Sequence, residues 1–107
     1  MQKVHFIGIG GIGVSALAQI YLHQGHQISG SDQKASDLTD NLAAQGAKIS
    51  IGHNSANITD QNLVIYSPAI PSENPELAAA REKGLQCLTY PEALGRLLAM
   101  AILADGR

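Results

Sequence analysis

The sequence predicts an α/β fold: a doubly wound parallel sheet of about five strands with helices on both faces. Three observations carry this expectation. The runs "KVHFIGI", "QISGS", "KISI", "LVIYS" and "QCLT" are continuously apolar rather than strictly alternating, as strands covered on both sides are. Between them one phrase recurs, as "HQGHQIS" at 23–29, "AQGAKIS" at 44–50 and "EKGLQCL" at 82–88, each placing a glycine where a helix closes left-handed and feeds a strand. Finally, Gly8, Gly10, Gly11 and Gly13 crowd together directly after the first apolar run.

The elements follow in order. After the first strand, Val14, Leu17, Ile20 and Tyr21 share one helical face, with Ala16 and Ala18 raising helix propensity, so an amphipathic helix runs to the first echo. "QISGS" is the second strand, and the second echo closes a helix before the third strand, "KISI". "NSANITDQN" has weak periodicity and reads as a loop or a short helical turn before the fourth strand, "LVIYS". In "SENPELAAAREKG", Asn74 is placed to cap a helix, Pro75 to occupy its first position, Glu76 its first turn and Lys83 its last. "QCLT" is the fifth strand, and from Pro91 a helix is expected through about Ala99. Strand, helix and strand alternate throughout, the pattern of a doubly wound domain.

Composition bounds the function. A chain of 107 residues is one domain by length and can bury a single core. Its net charge is −2 and its seven Lys and Arg are scattered, so no basic patch is offered to nucleic acid. The single cysteine, Cys87, cannot pair within the chain and is expected in the core; the expected compartment is the cytoplasm. "LLAMAILA", Leu97 to Ala104, is the longest apolar run, yet a membrane span needs about 20 such residues. No membrane partner and no signal peptide are expected. That same run would be poorly covered in a lone domain, which points to a piece of something longer.

Chemistry concentrates at the ends of strands. Gly8-Ile9-Gly10-Gly11-Ile12-Gly13 fits G-x-G-x-x-G between a strand and a helix. Gly8 permits the tight turn, Gly10 removes a Cβ so that a diphosphate can approach, and Gly13 allows close helix–strand packing. The first-turn N–H groups and the helix dipole can then hold an anion without Lys or Arg. Asp32, about 20 residues on at the end of the second strand, can accept ribose hydroxyls, with Ser31 beside it. His53 follows the third strand at the carboxyl edge, where such folds bind ligands. Ser67 and Pro68 end the fourth strand abruptly and can project into the same crevice. The remaining histidines, His5, His23 and His26, are expected to be structural or solvated, and no metal-ligand spacing occurs. No Gly-Lys-Ser or Gly-Lys-Thr is present, so nothing grips a γ-phosphate. No catalytic residue is assigned.

Together "HFIGIGGIGVSALAQI", "ISGSD" and "SPAIPSENPELAAAREKGL" resemble the Rossmann-like N-terminal domain of the Mur ligases, most closely those that join L-alanine to UDP-N-acetylmuramic acid. The resemblance reaches about Leu98. It implies a cytoplasmic enzyme of bacterial peptidoglycan synthesis, in which ATP phosphorylates the lactyl carboxylate and alanine attacks the acyl phosphate. It also implies that this part binds the UDP-sugar, while ATP and magnesium belong to a missing central domain and a third domain helps place the amino acid. On that basis residues 1–98 form the UDP-sugar domain, residues 99–107 begin the linker, and the fragment alone is inactive. Gly10, Gly11, Ile12 and Gly13 would meet the diphosphate, Ser31 and Asp32 the uridine side, and His53 with Ser67, Pro68 and Ala69 would border the nucleotide or sugar. Two other readings stand beside it: an NAD(P)-binding domain of an oxidoreductase, which shares the glycine loop and strand-two acid, and a non-catalytic nucleotide-sensing module.

Overall fold

A computed structural model describes residues 1–104. In chain order it forms β1 (Lys3–Ile7), α1 (Ile12–His23), β2 (Gln27–Asp32), α2 (Asp37–Ala44), β3 (Lys48–Ile51), a single 3-10 turn (Ser55–Asn57), β4 (Leu63–Tyr66), α3 (Pro75–Glu82), β5 (Gln86–Thr89) and α4 (Tyr90–Ala104). The five strands are all parallel in the order β3-β2-β1-β4-β5. The chain therefore steps outward from β1 on one side, returns, and steps outward on the other. Such a reversal leaves a crevice at the carboxyl ends of the two central strands, β1 and β4.

Alternation along the strands builds two cores. Val4 and Phe6 of β1, with Ile28, Leu63 and Ile65, pack against Val14, Leu17 and Ala18 of α1, Leu42 of α2 and Ala93 of α4. On the opposite face Ile7 and Val64 pack against Leu77 and Ala80 of α3 and against Ile58. That second layer turns polar toward β2, where Ser29 pairs in register with His5 and Ser31 with Ile7. Fully burying a side chain such as Phe6 or Leu17 contributes about 1.5–3 kcal/mol, so the first core dominates.

The punctuation read from the sequence is present. Gly25, Gly46 and Gly84, the glycines of the three echoes, have φ of +91°, +109° and +74°, where any Cβ would be strained. Asn74 caps α3, its Oδ1 accepting from the N–H groups of Glu76 and Leu77 at 2.9 and 3.3 Å, with Pro75 in the first turn. Lys83 closes that helix and donates from Nζ to the Ile58 carbonyl at 2.9 Å.

Two details differ from expectation and one adds to it. Ile20 is 41% exposed, because the buried stripe of α1 follows Val14, Leu17 and Ala18 toward the half-buried Tyr21. The nearest neighbour that Gly13 admits is the Tyr90 ring at the start of α4: a Cβ there would lie 2.6 Å from Tyr90 Cζ. The last helix continues past Ala99 to Ala104, with no break at the expected boundary after Leu98, and 105–107 of the expected linker lie outside the described residues. No helix among the described residues is long and apolar enough to cross a membrane.

Candidate functional site

The glycine loop is held from within. Gly8 turns the chain at φ +82°, and the N–H groups of Gly8 and Ile9 both donate to the Ser31 carbonyl, at 2.9 and 3.0 Å. Gly11 N–H donates back to the Gly8 carbonyl at 3.0 Å. Gly10 N–H donates to Asp32 Oδ2 at 2.8 Å. These bonds leave the amides of Ile12, Gly13 and Val14, the first turn of α1, without a protein partner among the described residues. They sit at the positive end of the α1 dipole, an arrangement that attracts an anion.

Gly10 has a reason within the protein itself. A Cβ at this position would lie 2.9 Å from Asp32 Oδ2 and 3.3 Å from the Thr39 methyl, so the missing side chain admits the Asp32 carboxylate to the loop. Asp32 Oδ1 has only a long 3.5 Å approach from Lys34 N–H. One oxygen of Asp32 thus braces the loop and the other is open to a hydroxyl donor.

Across the crevice, Ser67 and Ala69 form the turn after β4. The Ser67 hydroxyl accepts from Ala69 N–H at 3.2 Å, and its carbonyl accepts from Ile70 N–H at 2.9 Å. Between this turn and the glycine loop lies an open cleft of about 590 Å³, walled by Gly8, Gly11, Asp32, His53, Ser67 and Ala69 among others. This volume is within the range of sites for small organic ligands. Of the expected residues, Gly11, Asp32, His53, Ser67 and Ala69 meet on the cleft; Pro68 is exposed in the same turn, while Gly10, Ile12 and Gly13 belong to the loop and the helix start beside it. A smaller depression of about 210 Å³ lies against Lys3, Gln27 and Lys48, the first residues of β1, β2 and β3. That is the end of the sheet opposite to the one where open α/β folds bind ligands.

Ser31 departs from its expected role. It has no solvent exposure, and its hydroxyl lies 2.7 Å from Glu76 Oε1 and 2.8 Å from His53 Nδ1, one layer behind the cleft surface. Glu76 itself is fully buried. Its Oε1 also accepts from His5 Nε2 at 2.5 Å, and its Oε2 accepts from Asn54 N–H at 3.0 Å and Asn57 Nδ2 at 2.8 Å. Burial alone would raise this carboxyl's pKa, but the hydrogen bonds from His5, Asn57, Ser31 and the Asn54 amide outweigh it and hold the pKa at about 2. In the sequence Glu76 stands out only as a first-turn acid suited to the helix dipole. The available clue was His5, a polar residue within an apolar strand, which needs a buried partner.

His5 completes the network through a 2.7 Å contact between Nδ1 and the Ser29 hydroxyl, consistent with its expected structural role. Cys87 is half-buried against the second core, and burial pushes its thiol pKa up, away from nucleophilic character.

The sequence and the fold are both similar to those of known proteins. The model of the Mur ligase family, catalytic domain, matches residues 3–101. The UDP-N-acetylmuramate--L-alanine ligase of Clostridium novyi (strain NT) is 54% identical over 97 residues, which is 91% of this chain and 21% of that protein. Among solved structures, the UDP-N-acetylmuramate-alanine ligase of Thermotoga maritima superposes with a TM-score of 0.91 at 33% identity, covering 94% of this chain and 23% of that one. The UDP-N-acetylmuramate:L-alanyl-gamma-D-glutamyl-meso-diaminopimelate ligase of Neisseria meningitides gives a TM-score of 0.81 at 25% identity, over 90% of this chain and 31% of that one. The chain spans about a fifth of the length of the curated relatives it matches. With a family match running almost from end to end and more than half of the aligned residues shared with a relative, this chain belongs to the Mur ligase family.

Proposed function

We propose that this chain is the UDP-N-acetylmuramate-binding domain of a ligase that adds L-alanine to UDP-N-acetylmuramic acid in cytoplasmic peptidoglycan synthesis. The observation that carries the reading is the trio of unpartnered first-turn amides of α1 opening beside the cleft. A diphosphate seated there is held by N–H groups and the helix dipole, with no cationic side chain required. Asp32 Oδ1 takes a ribose hydroxyl, Gly11 allows the backbone to be approached, and His53 with the Ser67-Pro68-Ala69 turn borders the rest of the ligand.

ATP and magnesium do not fit the residues of this chain. It contains no Gly-Lys-Ser or Gly-Lys-Thr loop, and the described residues hold no cluster of three His, Cys, Asp or Glu able to take a metal. No step of carboxylate activation is therefore assigned to it. Within our proposal residues 1–98 are the UDP-sugar domain and 99–107 lead toward the domain that binds ATP.

Calorimetric titration with UDP-N-acetylmuramate and, separately, NADH tests the reading. UDP-N-acetylmuramate should bind and NADH should not; preference for NADH overturns it in favour of an oxidoreductase domain. Asp32→Ala should weaken UDP-N-acetylmuramate about tenfold, the effect of losing one or two hydrogen bonds.

A further inference from the structure

Glu76 is fully buried and does not line the cleft, yet it is linked through Ser31 to His53, which does. An ionised carboxylate only accepts hydrogen bonds, so the Ser31 hydroxyl, 2.7 Å from Glu76 Oε1, must direct its single proton there. Toward His53 Nδ1, 2.8 Å away, the same hydroxyl can then only accept. Glu76 Oε2, 3.7 Å from Nδ1, adds a negative charge on that side of the ring. The proton of a neutral His53 is thereby placed on Nδ1, and Nε2 is left as a bare lone pair with no protein partner among the described residues. The ring lines the cleft and its side chain is 12% exposed.

We infer that Glu76 and Ser31 are positioning residues that fix His53 in the Nδ1–H tautomer, so that the cleft presents Nε2 as a hydrogen-bond acceptor. The ligand group that suits it is a donor, a hydroxyl or an amide N–H, and not a phosphate oxygen, which would meet lone pair against lone pair. The ligand-facing half of this inference rests on the function proposed above; the tautomer does not.

Long-range ¹H–¹⁵N correlation spectra of the ¹⁵N-histidine-labelled chain near pH 8 separate the two halves. In the free protein, His53 should show a protonated Nδ1 and an unprotonated Nε2; an Nε2–H tautomer overturns the inference. Ser31→Ala removes the hydroxyl while sparing the carbonyl that holds the glycine loop, and should shift His53 toward the Nε2–H form. An unchanged tautomer in a folded Ser31→Ala protein overturns the role of Ser31, and if that variant does not fold, the wild-type spectrum still decides.

UDP-N-acetylmuramate is then added. The expected result is a shift of the Nε2 signal with Nδ1 still protonated and Nε2 not, together with about tenfold weaker binding by His53→Ala. Conversion to the doubly protonated ring on binding would identify a phosphate contact and overturn the donor assignment. Absence of binding would refute the proposed function and with it the ligand-facing half, while leaving the tautomer result intact.

Discussion

Glu76 keeps a negative charge where water does not reach it, and His5, Ser31, Asn54 and Asn57 converge on its two oxygens. In Glu76→Gln the charge is lost; an amide nitrogen at the Oε2 position meets the fixed Asn54 N–H donor, and at the Oε1 position it is accommodated only if the Ser31 hydroxyl and the His5 ring both turn from donors to acceptors. Weakening buried hydrogen bonds to a charged group in this way costs about 1–3 kcal/mol, and urea unfolding should show a loss of that order; an unmoved midpoint would refute the assignment. The sign of the pH effect follows from the depressed pKa. The ordinary carboxyl value is 4.5 and the folded value about 2, so the stabilisation is complete above pH 4.5 and lost as pH falls toward 2. The wild-type chain should lose stability across that window, and the Gln variant should lack this component. Asp32 could be placed from the sequence because its signal is local: a carboxylate ending the strand after a glycine loop. Glu76 could not, because its partners lie as far as 71 residues away and a first-turn glutamate is ordinarily solvated.

At the level of elements, the joint between α1 and its neighbours decides whether the loop amides stay aligned. Gly30 in β2 is the tighter contact: a Cβ there would lie 2.4 Å from Ile9 Cδ1 and 2.9 Å from the Phe6 carbonyl, one of which is backbone and cannot yield. At Gly13 the obstacle is the outer edge of the Tyr90 ring, 2.6–2.9 Å away, which can swing aside. Gly30→Ala should therefore cost about 3 kcal/mol. Gly13→Ala should cost about 1 kcal/mol, since the helix propensity gained on replacing glycine, about 1 kcal/mol, offsets part of the overpacking. Denaturation of the two variants side by side checks the order, and a more damaging Gly13→Ala would show that α4 is rigidly locked onto α1. The motif was legible as a motif, but which neighbour each glycine admits depends on packing between elements far apart in the chain, as Gly13 and Tyr90 show.

Across the whole molecule, coverage of apolar surface is uneven. Toward the end of α4, Leu98, Met100, Ile102 and Leu103 are 57%, 68%, 60% and 75% exposed, whereas Ala93 in its first turns is fully buried. The sequence made the apolar run visible; its exposure follows because the core takes in Tyr90, Ala93, Leu94 and Leu97 of α4 and no described residue beyond them. Exposed apolar surface of this kind, spread around the last turns of a helix, promotes association when nothing covers it. Since the exposed residues contribute little to either core, replacing Met100, Ile102 and Leu103 together by Glu should leave the unfolding midpoint within about 0.5 kcal/mol of wild type. The same triple variant should shift a concentration series in analytical ultracentrifugation toward monomer. If instead it unfolds the domain, the last turns of α4 take part in the core after all, and the expected boundary after Leu98 falls in the wrong place.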